Sequence, residues 1–432
     1  MAKASGGAKE AIKAKTSGGE AIRTENSRGA APGGEKKATK HIIGLSSEMQ
    51  QRHWSSISWS DDKAHVIGLN LSGFGVSRLI SSEFSHLASL QILDLSSNDL
   101  SSPIPPELNQ LQNLRQLLLY SNSLSGNIPK EIGQMGELQV LRLGDNMLTG
   151  SIPPSIGKLK YLGIAFCQIS GSLPEEIGNL KMGNLSALRI LNLANKSLSG
   201  SIPPQLGQLP NLSYLNFLGN RLSGGIPLEL NQLLLLEELD LSGNKLCGPV
   251  MLLVSKLSRL NVLVLSNNLL TGDIAANFFS RMSSLVILSL SQNDFSSSFP
   301  LELLLCSSLQ QLDLSDNEFQ GNLQSGLDQL KQLTDLYLNN NNFGGSLPPE
   351  IGNMSSLEFL SIYGNMITGS VPVEIRRLTM LSYLYLYDND FTGTIPIELT
   401  NCSSLVRVDF SRNQLKGVIP ATIGKLKNLV LL

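Results

Sequence analysis

Between Leu90 and Leu100 the chain reads LQILDLSSNDL, with Leu93 and Leu95 alternating with Asp94 and Ser96. Period-two alternation over so few residues predicts a short strand with one buried face. Leu90 and Leu100 flank it at spacings that suit neither a helix nor a longer strand, so the chain must turn on both sides. The same arrangement returns from about residue 66 to the last residue as LxxLxxLxLxxNxLxGxIPxxLGx. With the Asn as register mark, the units fall at Phe74, Asn98, Asn122, Asn146, Cys167, Lys196, Asn220, Asn244, Asn268, Asn293, Asn317, Asn341, Asn365, Asn389 and Asn413. Phe74, Cys167 and Lys196 are substitutions, and the usual step is the one that separates Asn98 from Asn122. This gives fifteen units over 66–432, plus the start of a sixteenth.

One such coil cannot bury its own leucines. Stacked coils can, and their strands then form a parallel sheet advancing about 4.8 Å per coil. An α/β solenoid with a parallel sheet on its concave face is therefore expected. The recurrent Asn carries an amide that both donates and accepts, suited to backbone groups in the turn between coils. The Pro of IPxxLG (Pro105, Pro129, Pro153, Pro203, Pro227, Pro348, Pro372, Pro396, Pro420) fixes φ and forbids continued pairing, and the Gly just before it tolerates a turn.

The register slips twice in succession. The step from Asn146 to Cys167 is shorter than usual, with Leu159 serving two coils. The next, from Cys167 to Lys196, is longer than usual, and in it Gly178-Asn179-Leu180 is followed by Gly183-Asn184-Leu185. An ordinary loop insertion would explain the longer step. Degeneration of the repeat would explain the deletion and the insertion together.

Residues 1–40 hold nine Lys or Arg against four Glu, +5 where the remainder carries −7, and almost no apolar side chains. Such a segment is expected to be a disordered basic leader. It lacks the apolar core of a secretory signal. No stretch approaches the ~18 apolar residues that cross a bilayer; Leu233 to Leu236 and Val250 to Val254 are the richest runs. No signal or membrane-spanning segment is expected in the chain as it stands.

The whole chain of 432 residues is 41% hydrophobic and only 16% charged, with net charge −2. That excludes coiled-coil and disordered acidic classes, and a near-neutral balance offers no field for nucleic acid. All four His (His41, His53, His65, His86) precede residue 87, so the later array has no imidazole base or ligand. No HExxH, GxSxG, HRD or DFG string occurs, and no metal, cofactor or catalytic site is expected. IGKLK at 156–160 and 423–427 echoes a phosphate loop, but Leu follows the Lys where a hydroxyl should hold magnesium. Cys167, Cys247, Cys306 and Cys402 sit in different coils. Cys306 and Cys402 are four coils apart, roughly 19 Å, beyond disulfide reach. Buried free thiols are expected at all four. Six sequons, at Asn70, Asn184, Asn195, Asn211, Asn353 and Asn401, are glycan candidates if the chain is exported.

The residues facing outward from successive strands line the concave face. In the middle coils they are small or polar: Glu238, Asp240 and Ser242, then Val262, Val264 and Ser266. Towards the end they become Tyr337, then Phe359 and Tyr363, then Tyr383, Tyr385 and Tyr387, with Asp388, Arg407, Asp409 and Arg412 beside them. In a chain only 5% aromatic, six aromatics in three coils predict an exposed amphipathic strip. Tyr and Arg supply rigid contact area with polar ends, which suits an extended peptide ligand. Ring stacking that merely stabilises the sheet surface is the alternative. A weaker cluster comprises Tyr120, Arg142, Tyr161, Phe166 and Tyr214.

The LSGxIPxxLGxLxxL recurrence, which runs through most of the chain, resembles the plant extracellular leucine-rich repeat family of receptor-like kinases. Segments such as LRILNLANKSLSGSIPPQLGQL and QLTDLYLNNNNFGGSLPPEIGNMSSL look most like the GASSHO-type members. The resemblance implies a plant-type horseshoe or superhelix at the outer face of the plasma membrane that recognises a secreted peptide and recruits a co-receptor repeat kinase. It also implies a following membrane helix and cytoplasmic Ser/Thr kinase, neither of which this sequence contains. GASSHO-type receptors are taken to bind tyrosine-sulfated peptides, for which Arg142 or Arg407 could contribute cationic contacts. Other members clamp a peptide carboxylate with an RxR pair, and RVDFSR at 407–412 has a different spacing. Family members carry two cysteines in a cap before the first coil; here Arg52 and Trp59 stand in their places, so 41–65 reads as a degenerate cap without its disulfide. Competing readings are an extracellular inhibitor of the polygalacturonase-inhibiting kind, an intracellular scaffold, or a gene fragment without function.

Overall fold

The computed structural model describes residues 56–156, 159–175, 188–250, 257–274, 278–279, 282–323 and 325–431. The leader at 1–40, Arg52 of the cap, Asn184 and the duplicated stretch around 178–185 lie outside the described residues. The chain divides into two compact units, one up to Val66 and one from Ile67. In the first, the short strand Ile57–Trp59 is followed by a turn in which Ser60 N donates to His65 O at 2.9 Å.

The second unit is a leucine-rich solenoid. Each expected coil contributes one short strand to a single parallel sheet, as in Ile92–Asp94, Glu238–Asp240 and Tyr383–Tyr385. The middle residue of each points inward: Leu93, Leu239 and Leu384 are fully buried. The two register slips leave this sheet intact. Val140 pairs with Tyr161 and Tyr161 with Ile190, in the same register as the regular coils. The deletion and the insertion are therefore absorbed outside the sheet, where pairing does not constrain loop length.

After most of these prolines comes a short 3₁₀ helix, such as Pro349–Asn353, with Pro348 at its N-cap (φ −68°). Proline sits well there because its fixed φ suits the turn and the missing N–H has no helical partner to lose.

The Asn ladder runs through the core edge. Asn268 is 7% exposed, and its Nδ2 donates to Leu265 O and Leu241 O, both 3.0 Å, and Ser266 O, 3.3 Å. Its Oδ1 accepts from Leu246 N in the preceding coil at 3.0 Å. The same set recurs at Asn98, Asn146, Asn341 and Asn389. One amide thus satisfies backbone groups of two coils, as its donor and acceptor capacity requires.

Two features went unread in the sequence. A second parallel sheet lies just past the ladder, built from Ser170–Ser172, Ser197–Gly200, Arg221–Gly224, Lys245–Gly248, Leu269–Gly272 and Asp294–Phe295. Its pairing ends at the glycine before the proline, as at Gly200 (φ 77°) and Gly224 (φ 78°). Inside the later coils, Phe295, Phe319 and Phe343 stack at 6.0 and 6.2 Å between ring centres, all buried.

All four cysteines are free. Cys167, Cys306 and Cys402 are buried, and burial pushes the thiols of Cys306 and Cys402 up to about 12. Cys247 corrects the expectation: it is exposed, on the second sheet, at a position the strand turns outward. A maleimide reagent at neutral pH is therefore expected to label Cys247 in the native chain, with the other three reacting only after unfolding. Equal labelling of all four in the native chain would contradict this burial pattern.

Candidate functional site

The sheet register arranges the concave residues in columns. Asp335, Phe359, Tyr383 and Arg407 are paired successively across four strands. Beside them run Tyr337, Ser361, Tyr385 and Asp409. Tyr363 and Tyr387 follow two residues further on, past the last strand position.

The six aromatics form a four-ring cluster around Phe359 and a stacked pair beside it. The Phe359 ring lies 4.5 Å from Tyr337, 5.4 Å from Tyr383 and 5.6 Å from Tyr385. Ser361, small and 2% exposed, stands between Tyr337 and Tyr385 in the neighbouring column, so Phe359 has room to lean among the three tyrosines. Tyr363 and Tyr387 stack almost parallel, 4.2 Å apart at 9°. The strip is less open than expected: all six rings are half-buried. Adjacent strands are only about 4.8 Å apart, so rings at successive register positions necessarily cover one another. Burial is the largest influence pushing the Tyr337 phenol up, with the nearby Asp335 and Asp313 carboxylates adding to it. Both stacking and an open outer face coexist here.

Around this patch Asp388, Arg407 and Arg412 are exposed, while Asp335 and Asp409 are half-buried. Arg407 follows Tyr383 in its column, and Asp388 and Arg412 occupy left-handed turn positions (φ 57° and 51°) directly before ladder asparagines. The strip thus has an apolar floor and a polar rim.

In the earlier cluster, Arg142 lies over the Tyr161 ring at 4.5 Å. Its Nε is buried without a hydrogen-bond partner. Tyr161 itself covers Gly163, where an added Cβ would meet its ring at 2.7 Å. Burial pushes the Tyr161 phenol up, and Tyr120 is close enough to add to the effect. Tyr214, two strands from Tyr161, accepts from Asn216 Nδ2 at 3.1 Å. Phe166 is 62% exposed at φ 60°, a strained conformation for a bulky side chain.

The middle coils read differently in three dimensions. Asp240 and Ser242 are each only 6% exposed, against the outward placement expected for them. The Asp240 carboxylate accepts from Ser242 N at 3.0 Å and from the Ser242 hydroxyl, closing the turn locally. Asp94–Ser96 and Asp313–Ser315 repeat the device. The recurring D-x-S string was the signal for it.

Among the sequons, Asn70, Asn211, Asn353 and Asn401 are exposed, and Asn195 is half-buried at φ 56°. Asn353 is already engaged, accepting from Arg377 Nη1 at 2.7 Å and donating to Asp328 at 3.2 Å. Among the described residues no cluster of His, Cys, Asp or Glu could hold a metal ion, and no helix is long and apolar enough to cross a membrane.

The Leucine Rich Repeat family model matches residues 89–111, 113–135, 137–159, 158–180, 187–209, 235–257, 308–330, 332–354, 356–378, 380–402 and 404–426. These segments make up more than half of the chain, which therefore belongs to the leucine-rich repeat family. The overlap at 158–159 falls at the shortened coil.

Among solved structures, the chain resembles plant receptor-kinase ectodomains. One is the ectodomain of the membrane receptor kinase GASSHO1/SCHENGEN3 from Arabidopsis thaliana in complex with CASPARIAN STRIP INTEGRITY FACTOR 2. It shares 36% identity at TM-score 0.77, over 93% of this chain and 54% of that one. A TDR receptor shares 33% at TM-score 0.80, over 85% and 63%. The Arabidopsis receptor kinase HAESA, in complex with the peptide hormone IDA and the co-receptor SERK1, shares 29% at TM-score 0.65, over 92% and 80%. This chain spans about half the length of the GASSHO1/SCHENGEN3 chain. No curated protein matches it in sequence.

Proposed function

We propose that this chain is the non-catalytic, ligand-binding repeat array of a plant cell-surface receptor-like kinase, and that the strip from Tyr337 to Arg412 holds an extended secreted peptide. The observation that carries the reading is the aromatic strip on the concave face. Phe359, Tyr337, Tyr383 and Tyr385 meet ring to ring, with Tyr363 and Tyr387 stacked beside them, and charged Asp388, Arg407 and Arg412 stand at the margin. Half-buried rings are held in place by their neighbours, so little side-chain freedom is lost when a ligand covers them. Tyrosine and arginine then supply apolar area and hydrogen bonds from the same residues.

Likeness to HAESA, solved with the peptide hormone IDA, supports this choice of ligand. A co-receptor is the second partner, as SERK1 is for HAESA, and the family resemblance implies that it is a repeat kinase. In this setting the chain faces the cell exterior, and the exposed Asn70, Asn211 and Asn401 are the glycan candidates, with Asn353 held by Arg377 and Asp328. The Arg142 guanidinium over Tyr161, with its Nε buried and without a hydrogen-bond partner, supports reading the earlier cluster as a second contact along the concave face.

A displayed library of random unstructured peptides, selected on the intact chain, tests the reading. Selected peptides should bind the Tyr385→Ala/Tyr387→Ala variant about 10- to 100-fold more weakly, the loss expected for two hot-spot rings. Unchanged affinity in that variant would leave the rings as sheet stabilisers only.

A further inference from the structure

We infer that Tyr363 and Tyr387 form an oxidative cross-linking site, at which a carbon–carbon bond between the two phenol rings would fasten consecutive coils together. The inference rests on ring geometry and stands whether or not the strip binds a peptide.

Tyr363 and Tyr387 occupy the same position in successive coils, each two residues before a ladder asparagine, Asn365 and Asn389. Their backbones are tied by the donation of Gly364 N to Tyr387 O at 3.1 Å. The rings are 4.2 Å apart and within 9° of parallel, and the hydroxyls are hydrogen-bonding neighbours. Two phenols pointing the same way in a stack place their ortho carbons side by side. The other ring contacts of the strip all pass through Phe359, which has no hydroxyl to oxidise. Among the described residues, Tyr363 and Tyr387 are thus the ring pair composed of two phenols.

Both rings are half-buried, so each keeps one side open to solvent. A small oxidant can reach them, and they can splay outward until their ortho edges meet. The oxidant is hydrogen peroxide acting through a haem peroxidase. One electron and one proton leave each phenol, and peroxide takes up both pairs to become two waters. The two tyrosyl radicals couple through one ortho carbon each. The hydrogen displaced from each coupled carbon returns to its phenol oxygen, restoring both aromatic rings. The chain loses two hydrogens in all.

The product would clamp the coil spacing at the edge of the aromatic strip. It would also close a covalent loop spanning the ladder residue Asn365 and its turn, so this part of the array could no longer unzip coil by coil.

The test treats the full chain with hydrogen peroxide and a haem peroxidase at low protein concentration, then digests the monomer with trypsin. Tyr363 lies in the fragment ending at Arg376 and Tyr387 in the fragment ending at Arg407, so the link joins two separable peptides. The expected result is a monomer lighter by two hydrogens, with dityrosine fluorescence and that fragment pair joined. The linked pair should disappear in Tyr387→Phe, which keeps the ring stack, and persist in Tyr385→Phe. Persistence of the linked pair in Tyr387→Phe, or cross-links found only between separate chains, would overturn the inference.

Discussion

Asn341→Leu should lower the unfolding free energy of the array by about 3–5 kcal/mol, since several buried backbone groups would lose their partner at once. The Asn341 amide is 7% exposed. Its Nδ2 donates to Leu314 O at 3.0 Å and to Leu338 O and Asn339 O, both 3.2 Å, and its Oδ1 accepts from Phe319 N at 3.0 Å. Leucine has similar volume and can replace none of these bonds. Each orphaned buried group costs about 1–3 kcal/mol, partly recovered where the turn relaxes toward solvent. The damage falls between two coils, because Leu314 and Phe319 belong to the preceding one. Neighbouring interfaces in a solenoid are coupled, so the loss spreads to both flanking coils. Urea unfolding followed by circular dichroism measures it. A midpoint shift equivalent to less than about 0.5 kcal/mol, the size of an ordinary surface substitution, would mean that the ladder does not hold the coils together.

The opposite sign is expected at Lys196. This residue stands at a ladder position but is only 6% exposed, and its Nζ has no hydrogen-bond partner among oxygen or nitrogen atoms. Its neighbour is the Cys167 thiol, the substitution in the preceding coil, whose Sγ donates to Leu143 O at 3.1 Å. Burial, only partly offset by Cys167, lowers the Lys196 ammonium to about 8. Burial likewise pushes the Cys167 thiol up, so burial works against the charged form of both groups. An ammonium cannot accept the backbone N–H that an asparagine carbonyl would take, and a thiol accepts weakly.

Lys196→Asn should therefore raise stability at neutral pH by about 2–4 kcal/mol, from relief of the buried charge and recovery of ladder bonds. The pH dependence follows from the direction of the shift. A lysine with a lowered folded-state pKa leaves the unfolded chain binding more protons between about 8 and 10.5. Stability of the parent chain then rises across that window, and the advantage of Lys196→Asn narrows as it does. A gain that stayed constant from pH 7 to about 10 would exclude the buried ammonium as its source.

The sequence made the coil legible because most coils repeat the same three demands: an inward leucine pair, an amide at the turn and a proline beyond it. Asn98 through Asn413 marked the register, and the strands stand where that register places them. The slips at Cys167 and Lys196 were visible too, although only the pairing of Val140, Tyr161 and Ile190 reveals that the sheet runs straight through them. The second sheet was not legible because strands such as Ser197–Gly200 hold a single inward apolar residue, Leu198, too few to show a period; their pairing is dictated by the stacking of the coils. The same limit applied to Asp240 and Ser242, which alternation assigns to the open face and a local carboxylate turn withdraws into the structure.

At the candidate site, sequence position identified which aromatics share a face, since register follows from the regular repeat step. It could not give their mutual burial. That depends on Ser361 leaving space for Phe359, and on Tyr363 meeting Tyr387 face to face. The weaker cluster shows the same division. Arg142 and Tyr161 were both legible, but their contact requires the shortened step between Asn146 and Cys167 to leave the strands in register.

Amide hydrogen exchange of the intact chain, with and without a peptide selected on it, tests the ligand reading most directly. Protection should concentrate on the strands Asp335–Tyr337, Phe359–Ser361, Tyr383–Tyr385 and Arg407–Asp409 and on the turns that follow them. Protection confined to the 3₁₀ helices such as Pro349–Asn353 and Val373–Arg377, with these strands unchanged, would contradict binding on the concave face.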